Sequence, residues 1–292
     1  MHLSRYLQLN ASYANPICFG LTHRGFYSEI NNLLNAILFC LVAKRRLYVD
    51  PSRFAGGGLT WSDLYSSQLP WETGEIREPV LRIAGNQSPG FKQINHRVSQ
   101  WHNRRRVFLS RSYGFYGSVF AAQRDLVALF CRPALAAVDP PEAAGPYAAI
   151  HVRRGDKVHG YTWQGNLIVE GEDIDLPDYL AVIAEKAPHL RRIFVMTDDY
   201  QVVSELRSLD SGLDVFTCCD AEEHGYRQKD FNSLDPLAKT QAIQRLIAEV
   251  ELACQSDLFI GCYTSNVSRY IAMAHKNPQQ CFSVDSLKLW NP

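Results

Sequence analysis

The segment Tyr147-Ala148-Ala149-Ile150-His151-Val152-Arg153-Arg154-Gly155-Asp156-Lys157 decides how the chain reads. Its first half is a short apolar run and predicts a buried strand. Its second half sets Arg153, Arg154 and Lys157 just beyond that strand. Three cations at the end of a buried strand are costly unless they meet an anion. A guanidinium offers a planar fork of donors, which suits a phosphate held by two parallel hydrogen bonds. Arg153 is therefore assigned to phosphate. Arg154 either shares that task or pairs with Asp156 or another carboxylate to fix the loop. His151 is either a ligand contact or a satisfied histidine at a strand end.

Outward from this point, strands and helices alternate. Helix is expected over 178–187, strand over 193–197, helix over 201–208 and strand over 214–217. A long helix over 237–255, a strand over 257–261, a helix over 265–275 and a strand over 280–284 complete the series. This alternation predicts an α/β fold with a parallel, doubly wound sheet. Such sheets take ligands beyond the carboxyl ends of their strands. The rule selects the loops after Val152, Thr197 and Gly261.

On the other side of the segment lies a Pro/Gly-rich stretch, Asp139-Pro140-Pro141 and then Gly145-Pro146, which reads as a domain boundary. It divides the chain into residues 1–138 and 139–292. In the first part, apolar residues at Ile30, Leu33, Leu34, Ile37, Leu38, Leu41 and Val42 mark one buried helical face. Strands at 17–21 and 47–50 flank it and make a βαβ unit. The cations Lys44, Arg45 and Arg46 suit a helix C-terminus. Residues 56–106 read as loops and short helices.

Composition narrows the class. The 292 residues suffice for one large or two medium domains. Thirty basic and thirty acidic residues balance, which argues against a nucleic-acid coat or a membrane-surface polycation. Eight cysteines without a CxxC pair read as reduced thiols. No secretory segment opens the sequence, and Asn31, Asn32 and Asn35 interrupt the apolar stretch 30–43. A cytoplasmic location is the expectation, with the Golgi lumen as the alternative if a membrane stem precedes this sequence. The histidines form no HxxxH or HxH pair, and no nucleophile elbow or P-loop is present.

The two other selected loops also hold candidates. Asp198 and Asp199 are placed to bind a metal or ribose hydroxyls, or to cap the next helix. Thr264, Ser265 and Asn266 stand before a helix, where exposed amides attract anions and where ordinary N-cap residues also occur.

Taken together, these segments resemble the α1,6-fucosyltransferases, which include the vertebrate core enzyme and the rhizobial nodulation enzyme. Their His-Val-Arg-Arg-x-Asp motif is matched by His151 to Asp156, with Lys157 also agreeing. The α1,2-fucosyltransferases share a close version containing Arg-Arg-Gly-Asp. Thr197-Asp198-Asp199 matches a further motif. Ser256 and Asp257, through Ser265, Val267 and Arg269, are similar to the donor-loop segment. The helix over 30–44 with Arg46-Leu47 resembles the N-terminal domain more loosely.

The resemblance implies a GT-B-like fold of two Rossmann-like domains, with an acceptor-side domain at 1–138 and a nucleotide-sugar domain at 139–292. It implies an inverting transfer of fucose from GDP-fucose to a glycan hydroxyl, with no metal and no other cofactor. Arg153 would hold the β-phosphate and His151 would contact the guanine. Glu249 falls where the family carries an aspartate that accepts hydrogen bonds from guanine; on an amphipathic helix it also reads as surface charge. Thr264 and Ser265 would complete the phosphate site. The chain departs from the family at the base, where Tyr161 replaces a glutamate. Glu170, Glu172 and Asp173 follow in the same loop as substitutes. Two alternatives stay open: a transferase using another nucleotide sugar, and a non-catalytic binder of glycan or nucleotide.

Overall fold

The computed structural model describes residues 2–66, 69, 80–84, 88–103, 118–134, 145–163, 166–169 and 171–285. The chain divides into two compact units, Met1–Ala136 and Ala137–Asn291. The Pro/Gly-rich stretch, the basic run at 104–106 and Glu170 lie wholly or mostly outside the described residues.

In the first unit the described elements run α1 (Leu3–Ser12), β1 (Ala14–Gly20), α2 (Phe26–Ala43), β2 (Arg45–Asp50), α3 (Trp61–Leu64), β3 (Leu81–Ala84), α4 (Pro89–Asn103) and α5 (Val119–Phe130). Three parallel strands lie in the order β2-β1-β3. The helix α2 is long and apolar enough to cross a membrane, yet 78% of it is buried inside the protein. One of the asparagines that interrupt its apolar run is shared with two neighbouring helices. Asn35 donates to Asn95 Oδ1 of α4 at 2.8 Å and accepts from Gln123 of α5 at 2.8 Å. A buried amide is tolerated because it is paired on both sides.

Two details differ from the expectations. The arginines after α2 also reach back to the start of the chain. Lys44 is the left-handed C-cap, Arg45 Nε donates to the Asn15 carbonyl at 2.8 Å, and Arg46 Nη2 donates to that of Ala11 at 2.5 Å. Those arginines tie the start of β2 to the α1–β1 corner. The middle stretch is also more regular than loops and short helices. It holds the strand β3 and the 15-residue helix α4. Over residues 89–100 the helix buries Phe91, Ile94 and Val98 among polar neighbours, and the strand is four residues with Leu81 half exposed. Four residues are too few to show a period, and the helical spacing of Phe91, Ile94 and Val98 stands among mostly polar residues.

In the second unit the elements are β4 (Ala148–Val152), α6 (Gly155–His159), β5 (Tyr161–Trp163), β6 (Asn166–Ile168), α7 (Leu176–Lys186), β7 (Arg192–Thr197), α8 (Tyr200–Leu209), β8 (Asp214–Phe216), α9 (Gln228–Ser233), α10 (Pro236–Gln255), β9 (Leu258–Gly261), α11 (Asn266–Ala274) and β10 (Cys281–Ser283). The five parallel strands lie in the order β10-β9-β4-β7-β8. Counted along the chain of this unit, that is the 3-2-1-4-5 order of the dinucleotide-binding fold. Every residue of β4 and β9 is buried, as expected of strands covered by helices on both faces. The short helix α6, the β5–β6 hairpin and α9 are additions to the expected series. All eight cysteines are free thiols.

Phe259 in β9 is fully buried at the middle of this sheet. Phe259→Ala should destabilise the second unit by about 3–5 kcal/mol. A lower urea midpoint with an unchanged slope is the result that checks it.

Candidate functional site

Within the second sheet the chain runs from β4 to β7 and β8 on one side, then returns to β9 and β10 on the other. The direction therefore reverses between β4 and β9. Ligands of open parallel sheets bind outside the carboxyl ends at such a reversal. The residues standing there are 153–157 after β4 and 262–266 after β9. The topology thus selects two of the three loops that the sequence singled out, with the Thr197 loop one strand away.

The cations after β4 meet carboxylates of their own unit. Arg153 Nη2 donates to Asp156 Oδ1 at 3.1 Å, and its Nε lies 3.8 Å from Asp198 Oδ2. The guanidinium carbon sits 5.2 Å from the Tyr226 ring centroid, a cation–π distance. Its side chain remains 24% exposed. Arg154 is ion-paired with Asp173. Lys157 is half-buried on α6, and its carbonyl accepts from the Gly171 N–H at 2.9 Å.

Asp198 is committed to the loops. Its carboxylate accepts from the N–H groups of Arg154 at 2.8 Å, Gly155 at 3.2 Å and Tyr226 at 3.0 Å. Asp156 N–H donates to the Tyr226 carbonyl at 2.9 Å, and Asp156 Oδ2 accepts from the Gln228 N–H at 2.9 Å. Gly155 is required by this crossing. A Cβ there would lie 2.6 Å from the Tyr226 nitrogen and 2.8 Å from Asp198 Oδ2. Asp199 caps α8 by accepting from the Gln201 N–H at 3.0 Å. Both aspartates thus hold structural positions.

On the β9 side, Ser265 is the N-cap of α11 and accepts from Ser268 N–H at 3.4 Å. Asn266 begins that helix. Thr264 gives both its N–H and its hydroxyl to Asp285 Oδ2, at 2.8 and 2.9 Å. His151 links the two arms, because its Nδ1 lies 2.6 Å from Ser268 Oγ. The ring is 7% exposed, and burial together with the charge of Arg153 pushes its pKa down to about 4. His151 is therefore a neutral imidazole at physiological pH. Gly261 allows this junction, since a Cβ there would crowd Ser268 Oγ and lie 3.0 Å from the Phe259 ring.

Glu249 is not surface charge. It is 7% exposed on α10, and its Oε1 accepts from Arg245 Nε at 3.1 Å. Arg245 also reaches Glu223 at 2.5 and 2.8 Å and Asp220 at 3.1 Å. Burial raises the Glu249 carboxyl to about 7 despite the arginine. Of the substitute bases, Glu170 lies outside the described residues, and Asp173 is the exposed partner of Arg154. Glu172 is exposed, and its charge acts on the Cys262 thiol at the end of β9.

Tyr226, Arg245 and Glu223 escaped the sequence reading. Tyr226 and Glu223 belong to a stretch without regular periodicity and Arg245 to the long helix α10, and their contacts with distant segments distinguish them. Among the described residues, no group of three or more His, Cys, Asp or Glu side chains is arranged to hold a metal ion. A concavity of about 480 Å³ lies at the β8 edge, but its arginines are engaged, Arg192 with Asp214 and Arg207 with the Val215 carbonyl.

No protein-family model and no curated protein matches the chain. Among solved structures, a point mutant of Arabidopsis thaliana FUT1 in complex with GDP matches at 10% identity, over 96% of this chain and 72% of that one, with a TM-score of 0.46. The fucosyltransferase NodZ from Bradyrhizobium matches at 14% identity, over 90% and 94%, with a TM-score of 0.46. POFUT1 in complex with GDP matches at 14% identity, over 92% and 98%, with a TM-score of 0.46.

Two outcomes follow from the geometry. Gly155→Ala should destabilise the second unit by about 1–3 kcal/mol, because backbone rather than a side-chain tip must move; chemical denaturation measures it. Glu249 has a raised carboxyl, so its contribution is complete below the ordinary carboxylate range and is lost as pH rises through about 7. The melting temperature should therefore fall more between pH 5 and pH 8 in the wild type than in Glu249→Gln. Parallel profiles would refute the burial of a titrating group there.

Proposed function

We propose that the chain is an inverting glycosyltransferase that moves fucose from GDP-fucose to a glycan hydroxyl without a metal. The observation that carries this reading is the place of the motif. The run His151 to Lys157, which resembles that of the α1,6-fucosyltransferases, ends β4 beside the chain reversal of a dinucleotide-type sheet.

In the reaction an acceptor oxygen attacks the anomeric carbon while the bond to the β-phosphate oxygen breaks and GDP departs. Negative charge grows on that phosphate. Arg153, Lys157 and the amides near Thr264 and Ser265 are the groups that would stabilise it. Arg153 suits this task because Asp156 and Asp198 hold it from one side and its side chain stays partly exposed. His151, neutral and fixed on Ser268, and the buried Glu249 would meet the guanine. The acceptor proton passes to a carboxylate of residues 170–173. Asp173 is tied to Arg154, whereas Glu172 stands near the β9 end, which favours Glu172.

The ion pairs of Arg153 and Arg154 also suit a second reading, a non-catalytic binder of nucleotide or glycan. The two separate in a single series. Thermal melts with GDP, UDP, ADP and their sugars identify the cognate nucleotide, since only a ligand of the native state raises the midpoint. GDP-fucose turnover on a glycan array, with and without a chelator, then tests transfer and metal independence. The anomeric configuration of the product tests inversion. Arg153→Lys should lose activity by roughly a hundredfold or more while its melting point is kept. Near-normal turnover in that variant removes Arg153 from the phosphate. Binding without transfer supports the second reading.

A further inference from the structure

Arg153 can serve a phosphate only if its guanidinium keeps one direction. Asp156 and Asp198 approach its edge, at 3.1 and 3.8 Å. The face is covered by Tyr226, whose ring centroid lies 5.2 Å from the guanidinium carbon. Tyr226 is itself held on several sides. Its N–H donates to Asp198 Oδ2 at 3.0 Å, and its carbonyl accepts from Asp156 N–H at 2.9 Å. Its ring meets that of Phe231 at 6.1 Å, and burial keeps its phenol protonated.

The approach depends on two glycines that face each other. Gly225 has φ +89°, and a Cβ added to it would lie 3.0 Å from the Gly155 Cα. Its N–H also donates to the Asp198 carbonyl at 2.7 Å. The same two carboxylates therefore hold the edge of Arg153 and the backbone on which the covering ring is mounted.

We propose that Tyr226 is a positioning residue that fixes the plane of the Arg153 guanidinium, so that the donors not facing Asp156 and Asp198 keep one orientation toward a phosphate. It acts through Arg153 and needs no contact with ligand. In its ligand arm the proposal rests on the reading of Arg153 given above; in its spectroscopic arm it does not.

The test uses the full chain as wild type, Tyr226→Phe, Tyr226→Leu, Arg153→Ala and the Leu/Ala double variant. The first readout is the NMR signal of Arg153 Nε–H, assigned by its loss in Arg153→Ala, without ligand. It should be dispersed and slow to exchange with water in the wild type and Tyr226→Phe. In Tyr226→Leu it should move toward the position of an exposed arginine. The second readout is GDP affinity by calorimetry. Tyr226→Leu should bind GDP about three- to thirtyfold more weakly, the range expected for loss of a partly buried cation–π contact. Tyr226→Phe should match the wild type. The double variant should bind no more weakly than Arg153→Ala alone, because a residue that acts only through Arg153 has nothing left to position.

An unchanged Arg153 signal in Tyr226→Leu overturns the proposal, as does an additive loss in the double variant or a loss in Tyr226→Phe equal to that in Tyr226→Leu. If the Leu chain does not fold, Tyr226→Met takes its place in the same cycle. If the wild type binds no nucleotide, it is the reading of the site that fails, and the Arg153 signal alone decides the role of Tyr226.

Discussion

The geometry around the motif depends on one carboxylate. Asp198 stands at the end of β7 and accepts three backbone N–H groups, two from the turn after β4 and one from Tyr226. A sharp turn at the end of a buried strand leaves donors that the sheet cannot satisfy, and orphaned buried donors are costly. An ionised acceptor meets several at once with hydrogen bonds stronger than neutral ones. This single arrangement brings three segments together that are far apart in sequence. It also explains why position 155 admits only glycine, because Tyr226 crosses too close for a side chain.

The same arrangement changes the meaning of the cation cluster. A run of arginines after a buried strand demands counter-charge, and that demand is met inside the protein before any ligand arrives. Asp156 and Asp198 face Arg153, and Asp173 faces Arg154. Removing one partner of such a half-buried pair leaves the other uncompensated, a larger penalty than the pair's net contribution. Pre-pairing does not disqualify Arg153 as a phosphate ligand. A guanidinium has five donors, and fixing some of them orients the rest. The Arg245 network works on similar lines, clamping the loop after β8 to α10 through Glu223, Asp220 and Glu249.

Polar groups also account for the first unit. The helix α2 has the length and composition of a membrane span, yet it is a core helix whose asparagine side chain is shared with α4 and α5. The α1 side chain Asn10 lies along β2, donating to the Leu47 carbonyl at 2.9 Å and accepting its N–H at 2.8 Å. In effect one amide supplies a rung of the ladder at the sheet edge, which leaves less of that edge open to unwanted pairing. Specific polar contacts therefore set the neighbours of elements whose burial is driven by apolar surface.

Sequence alone determined the order and type of the elements in the second unit, because long apolar periods and short buried runs are local properties. The strands at β4, β7, β8, β9 and β10 and the helices α7, α8, α10 and α11 lie within one or two residues of where the pattern put them. It also marked the loops at the strand ends, since a parallel α/β sheet gathers its loops in one place whatever its strand order. The short strand β3, and α4 with its apolar stripe set among polar residues, were not legible for the same local reason. Tertiary structure decided the strand order, and with it the chain reversal between β4 and β9. It also decided the partners of each charge. Asp198 reads as a ligand or a cap until the Tyr226 segment is seen to cross beneath it, and Glu249 reads as a guanine acceptor or as surface charge until its helix is packed. The contacts of Asp198 join residues tens of positions apart, so no window of sequence contains them.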